Sequence, residues 1–238
     1  MLSAKIDARV MTLDRKALVA DIARQGWHVV PELLTSVDCA ALRANYDHDP
    51  LYRSTVAMQR HGFGRGEYRY FAYPLPSPIA ALRAAFYSPL AQLANEWAAL
   101  LGRSQLYPVD HATYLAQCAL AGQSRPTPLI LRYRAGDYNC LHQDLYGAEH
   151  FPFQLAILLS RPGDDFEGGE FVIAEQRPRM QSRPHVVPLK QGDAVIFAVN
   201  DAPRAGTRGT YRVKLRHGVS EVRNGERFTL GVIFHDAG

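Results

Sequence analysis

LILRYRAGDYNCLHQD, residues 129–144, decides how the rest of the chain is read. Its first five residues are apolar, β-branched or aromatic in the proportion that predicts a strand. Gly136-Asp137 supplies a turn. The chain then runs extended into Leu141-His142-Gln143-Asp144. In a strand, residues i and i+2 point to one face, so His142 and Asp144 are expected to reach the same ion. A third ligand must come from a second strand, and His217 in LRHGV is the best candidate. Two histidines and a carboxylate on one side of a metal form a facial triad, which leaves coordination positions open for reactants and is typical of non-haem iron. The same donors also suit zinc, and an HxD pair by itself is common in surface loops.

Downstream of this stretch the pattern stays β-rich. FQLAILL, GEFVIA, HVVPL, DAVIFAV, YRVKLRHGV and RFTLGVIF are short and separated by Gly168-Gly169, Gly192-Asp193 and Asn224-Gly225. Together with LILRY they predict a sandwich or jelly roll over residues 128–238. If Asn224-Gly225 were a tight hairpin turn, Val222 would pair with Arg227, and His217 and Arg227 would face opposite ways. Both can point into one pocket only if their strands belong to different sheets.

Upstream, residues 1–127 read as mainly helical support and a candidate substrate lid. RKALVADIARQ (15–25) has helical spacing and Gly26 to end it. Trp27–Val30 reads as a short strand. Ser36 is the expected cap of a helix through CAALRANY. Residues 79–101 are expected to form two helices broken at Ser88-Pro89, and a further helix is expected near 111–121. The fold class is therefore α+β: one domain over 1–238, with N-terminal helices supporting a jelly-roll core.

The chain has 238 residues, 47% of them hydrophobic and 21% charged, enough to bury a core without staples. Its three cysteines, Cys39, Cys118 and Cys140, have no CxxC spacing, which argues against a disulfide framework or structural zinc and fits a reducing cytoplasm. No secretory signal or membrane-spanning run is visible. The net charge of +4 is compatible with an anionic substrate or nucleic acid.

The stretch Arg132-Tyr133-x-x-Gly136-x-x-x-x-Leu141-His142-Gln143-Asp144 resembles the iron-binding strand of the DNA-alkylation-repair dioxygenases. Gly168-Gly169-Glu170, Pro188-Leu189-x-x-Gly192-Asp193-Ala194, and His217 followed ten residues later by Arg227 resemble the order seen in prolyl hydroxylases. As a whole, through GEYRYFAYPLP, RPTPL, EQRPRMQSR, QGDAVIFAV and GTRGTYRVKLRHGVS, the chain is similar to the bacterial Oxygenase-NA family. This resemblance implies a double-stranded β-helix, with Fe(II), 2-oxoglutarate and O2 as cofactors. It also implies iron on His142, Asp144 and His217. The far carboxylate of 2-oxoglutarate falls to Arg227, with Thr229 and Tyr133 as further donors. Two departures separate the chain from the repair dioxygenases: Ile233 stands where they carry a second Arg, and Leu131 where they carry Asn.

The implied chemistry is hydroxylation of a C–H bond. On an N-methyl group the hydroxylated product collapses to formaldehyde and the demethylated amine. The substrate readings are a modified nucleic-acid base, a small metabolite or a protein side chain; a metal-binding module without turnover is the non-enzymatic alternative. For nucleic acid, Tyr68, Tyr70, Phe71 and Tyr73 around Arg69 are candidate stacking residues. His150 is a candidate at the entrance. Arg177, Arg179, Arg183 and Lys190, with Arg204, Arg208, Arg212, Lys214 and Arg216, are candidate backbone contacts. Alternating aromatics more often pack a core, and scattered arginines more often lie on a solvated face. The sequence does not fix the oligomeric state.

Overall fold

The computed structural model describes residues 2–104, 106–145, 147–207 and 209–238. In chain order the elements begin with α1 (Leu2–Met11), α2 (Arg15–Gln25), β1 (Trp27–Val30) and α3 (Ser36–Ala44). Next come β2 (Tyr52–Ala57), β3 (Gly64–Arg65), β4 (Glu67–Phe71), α4 (Ser77–Leu100) and α5 (His111–Leu120). The remaining strands are β5 (Leu129–Arg134), β6 (Tyr138–His142), β7 (Phe153–Leu158), β8 (Phe166–Gly168) and β9 (Phe171–Gln176). They are followed by β10 (Arg183–Val187), β11 (Ala194–Ala198), β12 (Asp201–Gly206), β13 (Gly209–Val219) and β14 (Val222–Ile233).

The strands form two antiparallel sheets of a jelly roll. The larger runs β1-β11-β7-β14-β5-β4-β2, with β8 also on β14; the smaller runs β10-β9-β13-β6-β3, with β12 also on β13. The seven strand segments expected in the second half and the one at Trp27–Val30 are all present. β13 and β14 follow one another in the chain yet sit in different sheets, so the condition set by His217 and Arg227 is met. The way it is met differs from the hairpin considered above. Asn224-Gly225 is no turn; it lies within β14 and pairs with Glu167 and Phe166 of β8. Gly225 has φ +77, and a Cβ there would sit 2.1 Å from the Asp165 carbonyl oxygen, so a close backbone approach explains this glycine.

The first half is less helical than its composition suggests. β1 lies at one edge of the larger sheet, β4 and β2 extend the other edge beyond β5, and β3 pairs with β6. Three local expectations are corrected. Thr35, not Ser36, caps α3, in a reciprocal box with Asp38; such caps are worth about 1 kcal/mol. Residues 77–100 form one helix with Pro89 inside it. Pro89 cannot donate to the turn before it, but Phe86, Tyr87, Leu90 and Ala91 on both sides are fully buried, and that packing carries the helix through. α1, unassigned from the sequence, packs along α4.

α4 braces the larger sheet through Arg83, which is buried. Its Nε donates to the Ile233 carbonyl (2.8 Å), and Nη2 donates to the His235 carbonyl (2.9 Å) and to Asp236 Oδ1 (2.7 Å). This ties down the C-terminal end of β14, the strand that floors the cavity described next.

Candidate active site

Between the sheets lies a cavity of about 200 Å3. Strand alternation decides which side chains face it. From β14 these are Arg227, Thr229, Gly231 and Ile233. β5 sets Tyr133, Leu131 and Leu129 beside the first three, and β4 sets Tyr68 and Tyr70 beyond Leu131 and Leu129. On the other flank β7 sets Ala156 beside Gly231 and Gln154 beside Ile233, and β11 sets Phe197 beside Gln154. The smaller sheet closes the cavity with His142, His217, Asn139 and Phe171.

His142, Asp144 and His217 converge: their ligand atoms all lie within 4.8 Å of one another. His142 Nε2 is 3.4 Å from Asp144 Oδ1, and His217 Nε2 is 3.3 Å from Asp144 Oδ2. Donors at right angles about an ion at ordinary metal–nitrogen distances are about 3 Å apart, so the set fits one face of an octahedron. His142 Nδ1 lies 2.8 Å from the Cys140 carbonyl and can donate to it, which leaves the Nε2 lone pair for a metal. His217 packs against Phe197, centroids 4.6 Å apart, and its Nδ1 is buried without a partner.

His142 and Asp144 come together as the HxD spacing predicts, but by a different route. β6 ends at His142, so strand alternation does not bring Asp144 beside it. Gln143 instead holds the chain as it leaves the strand, donating from Nε2 to Asn200 Oδ1 (2.7 Å) and to the Leu215 carbonyl (2.8 Å). The pairing of β13 with β6 also shifts register between His217 and Val219. That irregularity lets Asn139 and His142, an odd number of residues apart, both face the cavity.

Burial alone would raise the Asp144 carboxyl, but hydrogen bonds from His142 and His217 outweigh it and hold the group well below the usual carboxylate range. Burial likewise pushes His142 down, and the hydrogen bond and charge of Asp144, joined by backbone acceptors, together more than reverse it. For His217, burial and then the neighbouring His142 win, and its affinity for a proton falls. A carboxylate that stays charged beside an easily deprotonated histidine suits a cation other than the proton.

Arg227 is 1% exposed, and its Nη1 donates to Thr229 Oγ1 at 2.5 Å. Its Nε is buried without a partner, and among the described residues no carboxylate lies within 4.0 Å of it. Burial pulls its pKa down to about 10. The guanidinium is 5.6 Å from the centroid of the Tyr133 ring and 5.9 Å from that of Phe166. Gly169 makes room for it, since a Cβ there would lie 2.8 Å from Arg227 Cδ; this is the physical reason for the second glycine of Gly168-Gly169-Glu170. An unpaired buried cation costs several kcal/mol, so the cavity fits an anion at this end. The Tyr133 hydroxyl accepts from Asn139 Nδ2 at 3.3 Å, which leaves its own proton free for a ligand.

Two of the expected substrate residues are elsewhere. Tyr68 and Tyr70 line the cavity, but Arg69 projects from the other face of β4, donating to Asp49 Oδ1 (2.7 Å) and to the Tyr46 carbonyl (3.0 Å). His150 does not line the cavity; its carbonyl accepts from Tyr107 Oη. Phe71 is in the core and Tyr73 donates to Asp236. Of the basic residues, Arg204 is buried and paired with Glu175, Arg177 also pairs with Glu175, Lys214 pairs with Asp201, and Arg208 lies outside the described residues. Asn139, Gln154, Phe63 and Phe197 were not anticipated; only pairing register and a bulge bring them to the site.

Gly218, beside His217, is where β13 and β6 come closest: a Cβ there would lie 2.6 Å from the Asn139 carbonyl oxygen. Gly218→Ala must push the two histidine-bearing strands apart. It should weaken divalent-metal binding by roughly 10- to 100-fold, the range seen when a ligand's support is lost. Calorimetric metal titration checks this; unchanged affinity would contradict the tight strand contact.

Comparison with known proteins agrees with this geometry. An oxidoreductase of the 2OG-Fe(II) oxygenase family from Burkholderia pseudomallei superposes with a TM-score of 0.56 at 18% identity, over 95% of this chain and 94% of that one. A prolyl-4-hydroxylase from Pseudomonas putida gives 0.51 at 15% identity over the whole of both chains. A non-heme alpha-ketoglutarate-dependent epimerase from nogalamycin biosynthesis gives 0.53 at 17%, over 92% and 81%. The fold is thus that of the 2-oxoglutarate/Fe(II) oxygenases, a class whose cofactors are Fe(II), 2-oxoglutarate and O2, and the clustered His-Asp-His set suits such a metal. Residues 66–237 match the model of Oxygenase-NA, described as an oxygenase catalysing oxidative methylation of damaged DNA, and the chain belongs to that family. Two uncharacterized proteins of Mycobacterium tuberculosis, from strains CDC 1551 and H37Rv, are each 46% identical over 167 residues, 70% of this chain and 72% of theirs. No described helix is long and apolar enough to cross a membrane.

Proposed function

We propose that the whole chain acts as one oxygenase domain that hydroxylates a C–H bond, with an N-methylated nucleic-acid base as substrate. The observation that carries the oxygenase reading is the buried, unpaired Arg227 in the same cavity as the His142–Asp144–His217 cluster. His142, Asp144 and His217 would hold the iron, and a three-residue set of this kind would leave room for reactants. When bound, iron with 2-oxoglutarate and O2 supplies the oxidising power that inserts oxygen into the C–H bond, releasing succinate and CO2. Arg227, oriented by its bond to Thr229, would grip the far carboxylate of 2-oxoglutarate through charge-assisted hydrogen bonds. Tyr133, on the neighbouring strand, would donate to the same ligand. Leu129, Leu131 and Phe171 would keep water from the reacting carbon.

The nucleic-acid reading rests on the family and on the rim. Phe63 lines the cavity yet is 46% exposed, and stacks on His61 with centroids 5.3 Å apart. Arg60 and Arg65 are exposed on the same short segment as Phe63. An aromatic face flanked by cations suits a base with its phosphates. Formaldehyde release from N-methylated single-stranded DNA, compared with free N-methylated metabolites, tests it. Release from the DNA, weakened by added salt, is expected; release only from metabolites, or binding indifferent to salt, points to the small-molecule reading.

A further inference from the structure

Gln154 is 4% exposed and lines the cavity, yet its Nε2 has no hydrogen-bond partner. A carboxamide in that state is disfavoured unless something outside the protein completes it. Its place shows what that is. Gln154 stands beside Ile233 on one side and Phe197 on the other. Arg227 and Ile233 are six residues apart on β14, about 20 Å of extended strand. A five-carbon diacid anchored by Arg227 does not span that distance. Between the two ends the floor is Gly231 and Ala156, which lack bulk, with Tyr70 across from them in the same row. The hollow at this end is mostly apolar, and among the described residues the unpartnered buried side-chain atom that faces it, away from the Arg227 and His217 ends, is Gln154 Nε2.

We propose that Gln154 is the specificity-determining residue for the primary substrate. It recognises a planar group carrying a donor and an acceptor on one edge, as in a lactam or amidine ring, which lies over Gly231 and Ala156 with Phe197 and Ile233 beside it. This rests on the oxygenase reading above and narrows its substrate to rings of nucleobase type. A carboxamide has one donor and one acceptor in a plane and matches such an edge in both places. Gln154 acts on the substrate alone and makes no demand on the co-substrate.

The test uses the full chain loaded with Mn(II) and 2-oxoglutarate, wild type and Gln154→Leu. The probes are cytosine and thymine, which carry such an edge, and benzene, which does not. The readout is Mn(II)-enhanced relaxation of the probe protons, with 2-oxoglutarate affinity measured on the same samples. Wild type should relax both pyrimidines. Gln154→Leu should bind them roughly 10- to 100-fold more weakly, the effect of leaving buried polar groups unpaired, while benzene and 2-oxoglutarate bind as before. Equal pyrimidine binding by the two proteins overturns the proposal, as does a comparable fall in 2-oxoglutarate affinity. Wild type that holds Mn(II) and 2-oxoglutarate but relaxes no pyrimidine overturns the role of Gln154 and leaves the oxygenase reading standing. Wild type that holds neither overturns both.

Discussion

Asp144→Ala and His217→Ala are each expected to abolish iron-dependent succinate release while leaving the protein folded. Asp144 lies between the two histidines, within 3.4 Å of one and 3.3 Å of the other, and is the only anion of the set. Its loss removes a ligand and also the charge that offsets part of the metal's own. Loss of an outer-shell partner alone costs 10- to 100-fold, so losing a ligand should cost more than about 100-fold in metal affinity. His217 is equally exposed to test: without its imidazole β13 contributes no ligand, and His142 on the neighbouring strand and Asp144 are left. Succinate formation from 2-oxoglutarate, with circular dichroism as a check on folding, measures the effect. Turnover near the wild-type rate in either variant would show that the ion sits elsewhere.

Arg227→Met should produce two opposite changes. The concentration of 2-oxoglutarate needed for half-maximal succinate release should rise by roughly 30-fold or more, since truncating one partner of a buried charge pair costs about 2–5 kcal/mol. Stability without ligand should not fall. Arg227 is a buried cation with one neutral hydroxyl partner, and replacing buried charge by an apolar side chain of similar length is often neutral or stabilising by about 1–4 kcal/mol. For a chain of this size each kcal/mol corresponds to about 2–4 °C. Methionine fills the stem's volume between Tyr133, Phe166 and Gly169 without a charge. Thermal unfolding without ligand, set beside the 2-oxoglutarate titration, tests both. A less stable Arg227→Met protein with normal 2-oxoglutarate use would mean that Arg227 is a structural group.

The legible part of this molecule was the part written in local pattern. Short β-branched runs between glycine turns gave the strands of the second half, because burial on both faces leaves little choice of residue. His142, Asp144 and His217 could be picked out as a candidate set because metal chemistry admits few side chains, whereas Arg227 was reached only through its position in the family resemblance. What escaped depends on register. The tyrosines of β4 read as either base-stacking or core-packing residues, and only the pairing of that strand onto β5 shows that Tyr68 and Tyr70 line the cavity while Arg69 faces out. Asn139 comes to the site through an irregularity between β6 and β13 that no spacing announces. Gln154 sits in an otherwise apolar strand, and its meaning appears only once its neighbours are seen to offer it no partner. His150 lies near the HxD motif in sequence, but the chain turns away after Asp144 and carries it toward Tyr107.

The account stands or falls on one ion and one diacid sharing the cavity between the sheets. The most direct measurement is the visible spectrum of the anaerobic protein on adding Fe(II) and then 2-oxoglutarate. A weak charge-transfer band should appear only when both are present, be missing in Asp144→Ala and His217→Ala, and require far more 2-oxoglutarate in Arg227→Met. No band in the wild type, or the same band in all four proteins, would contradict the site.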